Sequence, residues 1–294
     1  MLKSPPMSNL TVRILSAIFA LLILFFSYYL FDLNGILAFG LIVVSIGAWE
    51  YSQICLKPFY KSSQISFLFV GSCIALLGLF SFPSLSALTF FAATVCLFLT
   101  LSLWLSRERI KTDALHRLLS MAVTGFIYCT LFPSFAFRIL LSDQGIQLFM
   151  LLLVMVFAGD VFAYFTGRLF GQHRLMPALS PKKTVEGAIG GAIGSVACSM
   201  IYIHLVDIDF SLPYWGIGLT AFITSATAQT GDLFESLLKR VAGVKDSGGI
   251  MPGHGGVLDR LDGVYFGAPV FYACLHIIIG ELRLPSAIID KMTF

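Results

Sequence analysis

The stretch Asp232–Gly263, DLFESLLKRVAGVKDSGGIMPGHGGVLDRLDG, sets the terms for the whole chain. It gathers five acids (Asp232, Glu235, Asp246, Asp259, Asp262), four strong bases (Lys239, Arg240, Lys245, Arg260), His254 and six loop glycines into a protein that is only 12% charged. Asp232, Glu235, Ser236 and Lys239 recur at helical spacing and predict one polar stripe, which Gln229 extends a turn back. Leu233, Phe234, Leu237 and Leu238 cover the other faces. Beyond this helix, glycines from Gly243 to Gly256 strip a loop of side chains, so its backbone N–H groups are expected to approach phosphate oxygens. Carboxylates suit a hard cation and bases suit phosphates, so the combination points to a polyphosphate with its metal.

Outside this stretch the chain is apolar. Of 294 residues 57% are hydrophobic, Phe alone occurs 28 times and the mean hydropathy is +0.89. These values exclude an ordinary soluble domain and predict an all-α, multi-pass protein of the cell membrane. A net charge of +3 without a dense basic cluster gives no reason to expect a nucleic-acid partner. Six scattered cysteines, none in C-x-x-C spacing, read as packing residues. Nine apolar runs reach spanning length, at about 13–31, 35–56, 66–82, 86–106, 118–140, 146–167, 187–205, 214–238 and 263–281. The first, flanked by Lys3 and Arg13, lacks a small-residue cleavage site and is expected to be retained. With the N-terminus in the cytoplasm, 16 of the 19 Lys and Arg residues fall inside; Arg138, Arg283 and Lys291 fall outside. The charged loops 168–186 and 239–262 then face the cytoplasm, and with them the active site. The expected division is a transmembrane scaffold over 1–145, with room for a homodimer contact, and a catalytic transmembrane region over 146–294.

A second polar region starts inside the sixth span. Asp160, Tyr164 and Arg168 form a stripe on one helix face, with Asp160 ~12 Å deeper than Arg168 at ~1.5 Å per residue. A submerged carboxylate needs a cation, a partner or water, and Asp232 repeats that situation on another helix, so one shared polar cavity is expected. In the intervening loop, Ser180 is expected to cap a helix that has Pro181 in its first turn, leaving N–H groups and Lys182 and Lys183 near an anion. Gly187, Gly190, Gly191 and Gly194 predict close helix packing. Glu50, beside Trp49 and Tyr51, reads as an interfacial anchor; His173 reads as a loop residue without a partner.

Ser236-Leu-Leu-Lys239-Arg240, Lys245-Asp246, Pro252-Gly-His254-Gly255-Gly256 and Asp259-Arg260-Leu-Asp262 together resemble the signature of phosphatidate cytidylyltransferases, also called CDP-diacylglycerol synthases. Asp160, Tyr164, Gly167-Arg168 and the Ser180–Thr184 stretch resemble the upstream region of the same family. Met251 stands where Leu, Ile or Phe is expected, and Val185 where many members carry Trp. The resemblance covers roughly residues 155–265. It implies that CTP and phosphatidate, a membrane lipid, become CDP-diacylglycerol and pyrophosphate with Mg²⁺. On that reading Asp160, Asp232, Asp246, Asp259, Lys239 and His254 are the catalytic candidates, with Asp232 and Asp259 as metal ligands. Ser180, Lys182, Lys183, Thr184, Arg240, Lys245, Gly255, Gly256 and Arg260 are the substrate-binding candidates. Composition and spacing by themselves stop at a membrane enzyme or transporter acting on a phosphorylated substrate. A CTP-dependent lipid kinase and an ion-coupled transporter therefore stay open, whereas no D-G-x-x-A-R run supports a CDP-alcohol phosphotransferase.

Overall fold

Apolar runs of this length leave the backbone no partner in lipid but itself, and the chain folds accordingly into helices. The computed structural model describes residues 9–57, 63–81, 85–106, 112–206, 213–250 and 255–279. Helix α1 (Asn9–Tyr51) is broken at Asp32, whose φ of 53° interrupts the helix between the two apolar runs read there as separate spans. It ends in a π-helical turn, Ser52–Leu56. Helices α2 (Ser63–Ser81), α3 (Leu85–Ser106) and α4 (Thr112–Phe126) follow. A second π-helical turn, Ile127–Leu131, leads into α5 (Phe132–Leu140) and then α6 (Gly145–Phe170). After strands β1 (Arg174–Met176) and β2 (Ser180–Thr184) come α7 (Val185–Val206), α8 (Tyr214–Ala242) and α9 (Leu258–Ile279). Among the described residues four segments are long and apolar enough to cross a membrane: Leu22–Leu56, Thr112–Leu140, Gly145–Phe170 and Val185–Val206.

The loop after α6 departs from the all-α expectation. Strands β1 and β2 pair antiparallel, with Arg174 opposite Thr184 and Met176 opposite Ser180, so Ser180 lies in a strand and caps no helix. Pro181 has no N–H to lose and is tolerated in a short strand with an unpaired edge. Thr184 takes the capping role instead: its Oγ1 accepts the Gly187 N–H at 3.1 Å, and α7 starts at Val185.

Two cores organise the bundle. In the N-terminal half, Tyr51, Phe69, Phe98, Phe126 and Tyr128 are fully or almost fully buried, and ring centroids lie 5.0 Å apart for Phe69–Phe126 and 5.1 Å for Phe98–Phe126. Tyr51 Oη donates to the Met121 carbonyl at 2.7 Å, tying the end of α1 to α4. The second core, with Leu152, Met155, Ala221 and Phe271, lies among α6, α8 and α9. Helices α6 and α7 approach closely through glycine, as the small-residue spacing predicts: a Cβ at Gly191 would lie 2.6 Å from the Gly159 carbonyl oxygen and 2.9 Å from Ala163 Cβ. Ser195 Oγ donates across to the Met155 carbonyl at 2.8 Å.

Gly191→Val is therefore expected to push α6 from α7 and cost about 1–3 kcal/mol, read as a lower unfolding temperature in detergent. Gly71→Ala, where an added Cβ meets nothing within 4 Å, is expected to leave that temperature unchanged or slightly raised.

Candidate active site

The two polar stripes close on one cavity. Helix α6 contributes Asp160, Tyr164 and Arg168, and α8 contributes Gln229, Asp232, Glu235 and Lys239. The start of α9 adds Asp259, Arg260 and Asp262; the hairpin brings Arg174, Lys182 and Lys183, and the glycine loop brings Asp246. The cavity volume is about 710 Å³, within the ~300–1,000 Å³ usual for small-molecule sites. Acids and bases are interleaved along its walls, so the cavity can hold anions without leaving carboxylates uncompensated.

Specific pairs set this balance. Lys183 forms an ion pair with Asp232 and also reaches the Gln229 carbonyl at 3.5 Å. Lys239 Nζ lies 2.6 Å from Asp259 Oδ1 and 3.3 Å from Glu235 Oε2. Asp262 feels the charges of both Asp232 and Asp160, so these three acids form one electrostatic group. Asp259 Oδ2 accepts the Ser247 N–H at 3.1 Å and the Gly256 N–H at 2.9 Å. Burial opposes the Asp259 charge, but the hydrogen bonds from the Lys239 ammonium and the Gly256 amide help to outweigh it and hold this carboxyl well below the usual range. At the rim, Arg168 Nη1 donates to Tyr164 Oη at 3.1 Å.

Several expected positions fall elsewhere. Ser180, Arg240, Lys245, Gly255 and Gly256 are not among the residues that line the cavity. Gly255, at φ 86°, makes the turn into α9, and the Gly256 amide donates to Asp259 Oδ2 at 2.9 Å. His254 lies outside the described residues. Gln229, Glu235, Asp262, Tyr164 and Arg168 stand in the predicted motifs and stripes and prove to be cavity walls, whereas Arg174 carried no sequence signal. His173, read as partnerless, has Nδ1 2.6 Å from Glu186 Oε1, and Glu186 also accepts the backbone N–H groups of Gln172 and His173. Glu50 is not an interfacial anchor: it is 3% exposed, and its Oε2 accepts Ser247 Oγ–H at 3.2 Å and the Leu258 N–H at 2.8 Å. Contacts spanning some 200 residues of chain leave no local pattern in a sequence.

Among the described residues no three His, Cys, Asp or Glu side chains converge into a preformed metal cage. Mg²⁺ ordinarily takes only one or two carboxylates and completes its shell with water and substrate phosphates. Asp160, Asp232 and Asp262 beside a roomy, base-walled cavity fit that kind of site. Asp259 has both oxygens engaged by Lys239, Ser247 and Gly256.

Fold and cavity together define a helical membrane protein that can hold phosphates between carboxylates and bases. Residues 11–278 match the Cytidylyltransferase family, and the chain belongs to it. A phosphatidate cytidylyltransferase of Staphylococcus saprophyticus is 33% identical over 277 residues, covering 88% of this chain and 96% of the relative. One from Brucella suis is 32% identical over 286 residues, covering 96% of this chain and 98% of the relative. One from Thermotoga maritima is 44% identical over 164 residues, covering 54% of this chain and 60% of the relative.

A pH dependence follows from Asp259. Its lowered native pKa contributes stability that is fully present above the unfolded value of ~3.9 and is lost as pH falls through the native value. The difference in unfolding temperature between the wild type and Asp259→Asn is expected to be constant from about pH 7 to about pH 5 and to shrink below about pH 4. A thermal melt series in detergent measures it.

Proposed function

We propose that this chain transfers the cytidylyl group of CTP to phosphatidate, forming CDP-diacylglycerol and pyrophosphate. The observation that carries the reading is the single cavity in which the motif acids and Lys239 meet Lys182 and Lys183 of the hairpin. The names of relatives aligned over nearly their whole length supply the substrates.

A phosphatidate oxygen attacks the α-phosphorus of CTP in line, a new P–O bond forms, and the bond to the β-phosphate bridging oxygen breaks. The nucleophile arrives as an anion, so no side chain needs to take its proton; holding and neutralising the phosphates carries the catalysis. Lys182, Lys183 and Arg260 hold phosphate oxygens from the cavity wall. Lys239 can exchange its hold on Glu235 and Asp259 for a phosphate, which keeps its charge paired throughout. Arg168, near the end of α6, and Arg174, on the hairpin, would meet the lipid phosphate. Asp232, with Asp160 and Asp262 beside it, would hold Mg²⁺, which when bound offsets phosphate negative charge.

In the same proposal the N-terminus is cytoplasmic, the nine apolar runs are spans and the cavity opens to the cytoplasm. The distribution of Lys and Arg and the succession of helices support this arrangement.

Label in the α-phosphate of CTP is expected to enter lipid in the presence of phosphatidate and Mg²⁺. Transfer of γ-label would instead identify a lipid kinase, and substrate movement into vesicles without pyrophosphate a transporter. Asp232→Asn is expected to lower turnover by roughly 100-fold or more while the protein stays folded; near-normal turnover at limiting Mg²⁺ would remove Asp232 from the metal site.

The orientation has its own check with single cysteines in an active background without native cysteines, labelled by an impermeant thiol reagent on intact cells. Cysteines replacing the exposed Gln172 and Gly249 are expected to be protected, and one replacing the exposed Tyr214 to react. The reverse pattern would turn the site outward.

A further inference from the structure

Glu50 lies in the last turn of α1, just before the Tyr51 that the aromatic core locks in place and that ends the helix ahead of the π-helical turn. Its carboxylate lies against the far side of the glycine loop and does not line the cavity. Oε2 takes the Leu258 N–H, the first amide of α9, and the Ser247 hydroxyl; Oε1 makes no hydrogen bond among the described residues. Helix N-terminal amides lack partners within the helix and favour a nearby negative charge, so Glu50 caps α9 from a distant part of the chain. Ser247 joins the two sides, because its hydroxyl meets Glu50 while its own N–H meets Asp259. The loop is shaped around this carboxylate: a Cβ at Gly248 would collide with it, and one at Gly256 would sit 2.6 Å from Oε2.

We propose that Glu50 is a positioning residue for catalysis, a brace from the N-terminal helices that sets the first turn of α9 and so aims Asp259 and Arg260 at the cavity. The inference rests on the cytidylyltransferase reading for its kinetic arm, and on geometry alone for its structural arm. Displacing reacting groups by about 1 Å costs roughly 100-fold. A brace that acts on placement therefore lowers kcat more than it raises KM.

The test compares wild type, Glu50→Ala, Glu50→Gln and Ser247→Ala, purified in detergent. It reads kcat and KM for CTP and phosphatidate per folded molecule, and hydrogen–deuterium exchange over residues 255–262. Glu50→Ala is expected to lose roughly 100-fold in kcat with little change in either KM, and to exchange faster over 255–262. Glu50→Gln keeps an acceptor oxygen of the same reach and is expected to recover at least about tenfold of that loss. Wild-type kcat and exchange in Glu50→Ala would overturn the proposal, as would equal losses in the Ala and Gln variants with unchanged exchange. Should Glu50→Ala fail to fold, Ser247→Ala decides: lowered kcat with faster exchange supports the brace, and wild-type values overturn it. A wild-type protein that makes no CDP-diacylglycerol would sink the proposed reaction, while the exchange comparison would still judge the brace.

Discussion

An ionised carboxylate inside an apolar helix bundle is tolerated only with a cation, a hydrogen-bond donor or water at hand, and the architecture of this protein follows from that requirement. Asp160 and Asp232 lie on different helices, and neither helix could carry its acid alone. Bringing both to one cavity allows Lys183 to meet Asp232 and lets Asp262 share the same electrostatic group. The glycines of α7 make this possible, because only a backbone without Cβ atoms there lets α6 come close. Packing and chemistry are thus one constraint in the C-terminal half.

The hairpin answers the other half of the problem. A free loop carrying Lys182 and Lys183 would spend side-chain and backbone entropy on every encounter with a phosphate. Pairing β1 with β2, capping α7 with Thr184 and gathering the Gln172 and His173 amides on Glu186 fix the loop beforehand. Both lysines then line the cavity before any ligand arrives.

The N-terminal half has the character of a rigid support. Its stacked rings hold the end of α1, and the Tyr51 hydroxyl fixes it to α4. From that anchored end Glu50 reaches the glycine loop and the start of α9. These contacts run from the N-terminal region directly to residues beside the site. The loop is bare where it meets this side chain, since Gly248 and Gly256 lie where side chains would strike Glu50.

What the sequence determined by itself was whatever repeats at short range. Hydropathy foretold the helices, even the separation of the first two apolar runs now seen as the break at Asp32. Helical spacing placed Asp160, Tyr164 and Arg168 on one face and Gln229, Asp232, Glu235 and Lys239 on another, and all seven line the cavity. The strand conformation of Ser180 was not legible, because a five-residue strand of Ser, Pro, Lys and Thr shows no apolar alternation and its pairing with the three-residue β1 decides it. That Gly255, Gly256 and Arg240 stand outside the cavity lining was not legible for a related reason: a glycine or an arginine within a motif shows its type, not the direction in which the folded loop or helix presents it. Glu50 was beyond reach altogether. Its partners lie some 200 residues away, and only the tertiary structure buries that carboxylate against the first amide of α9.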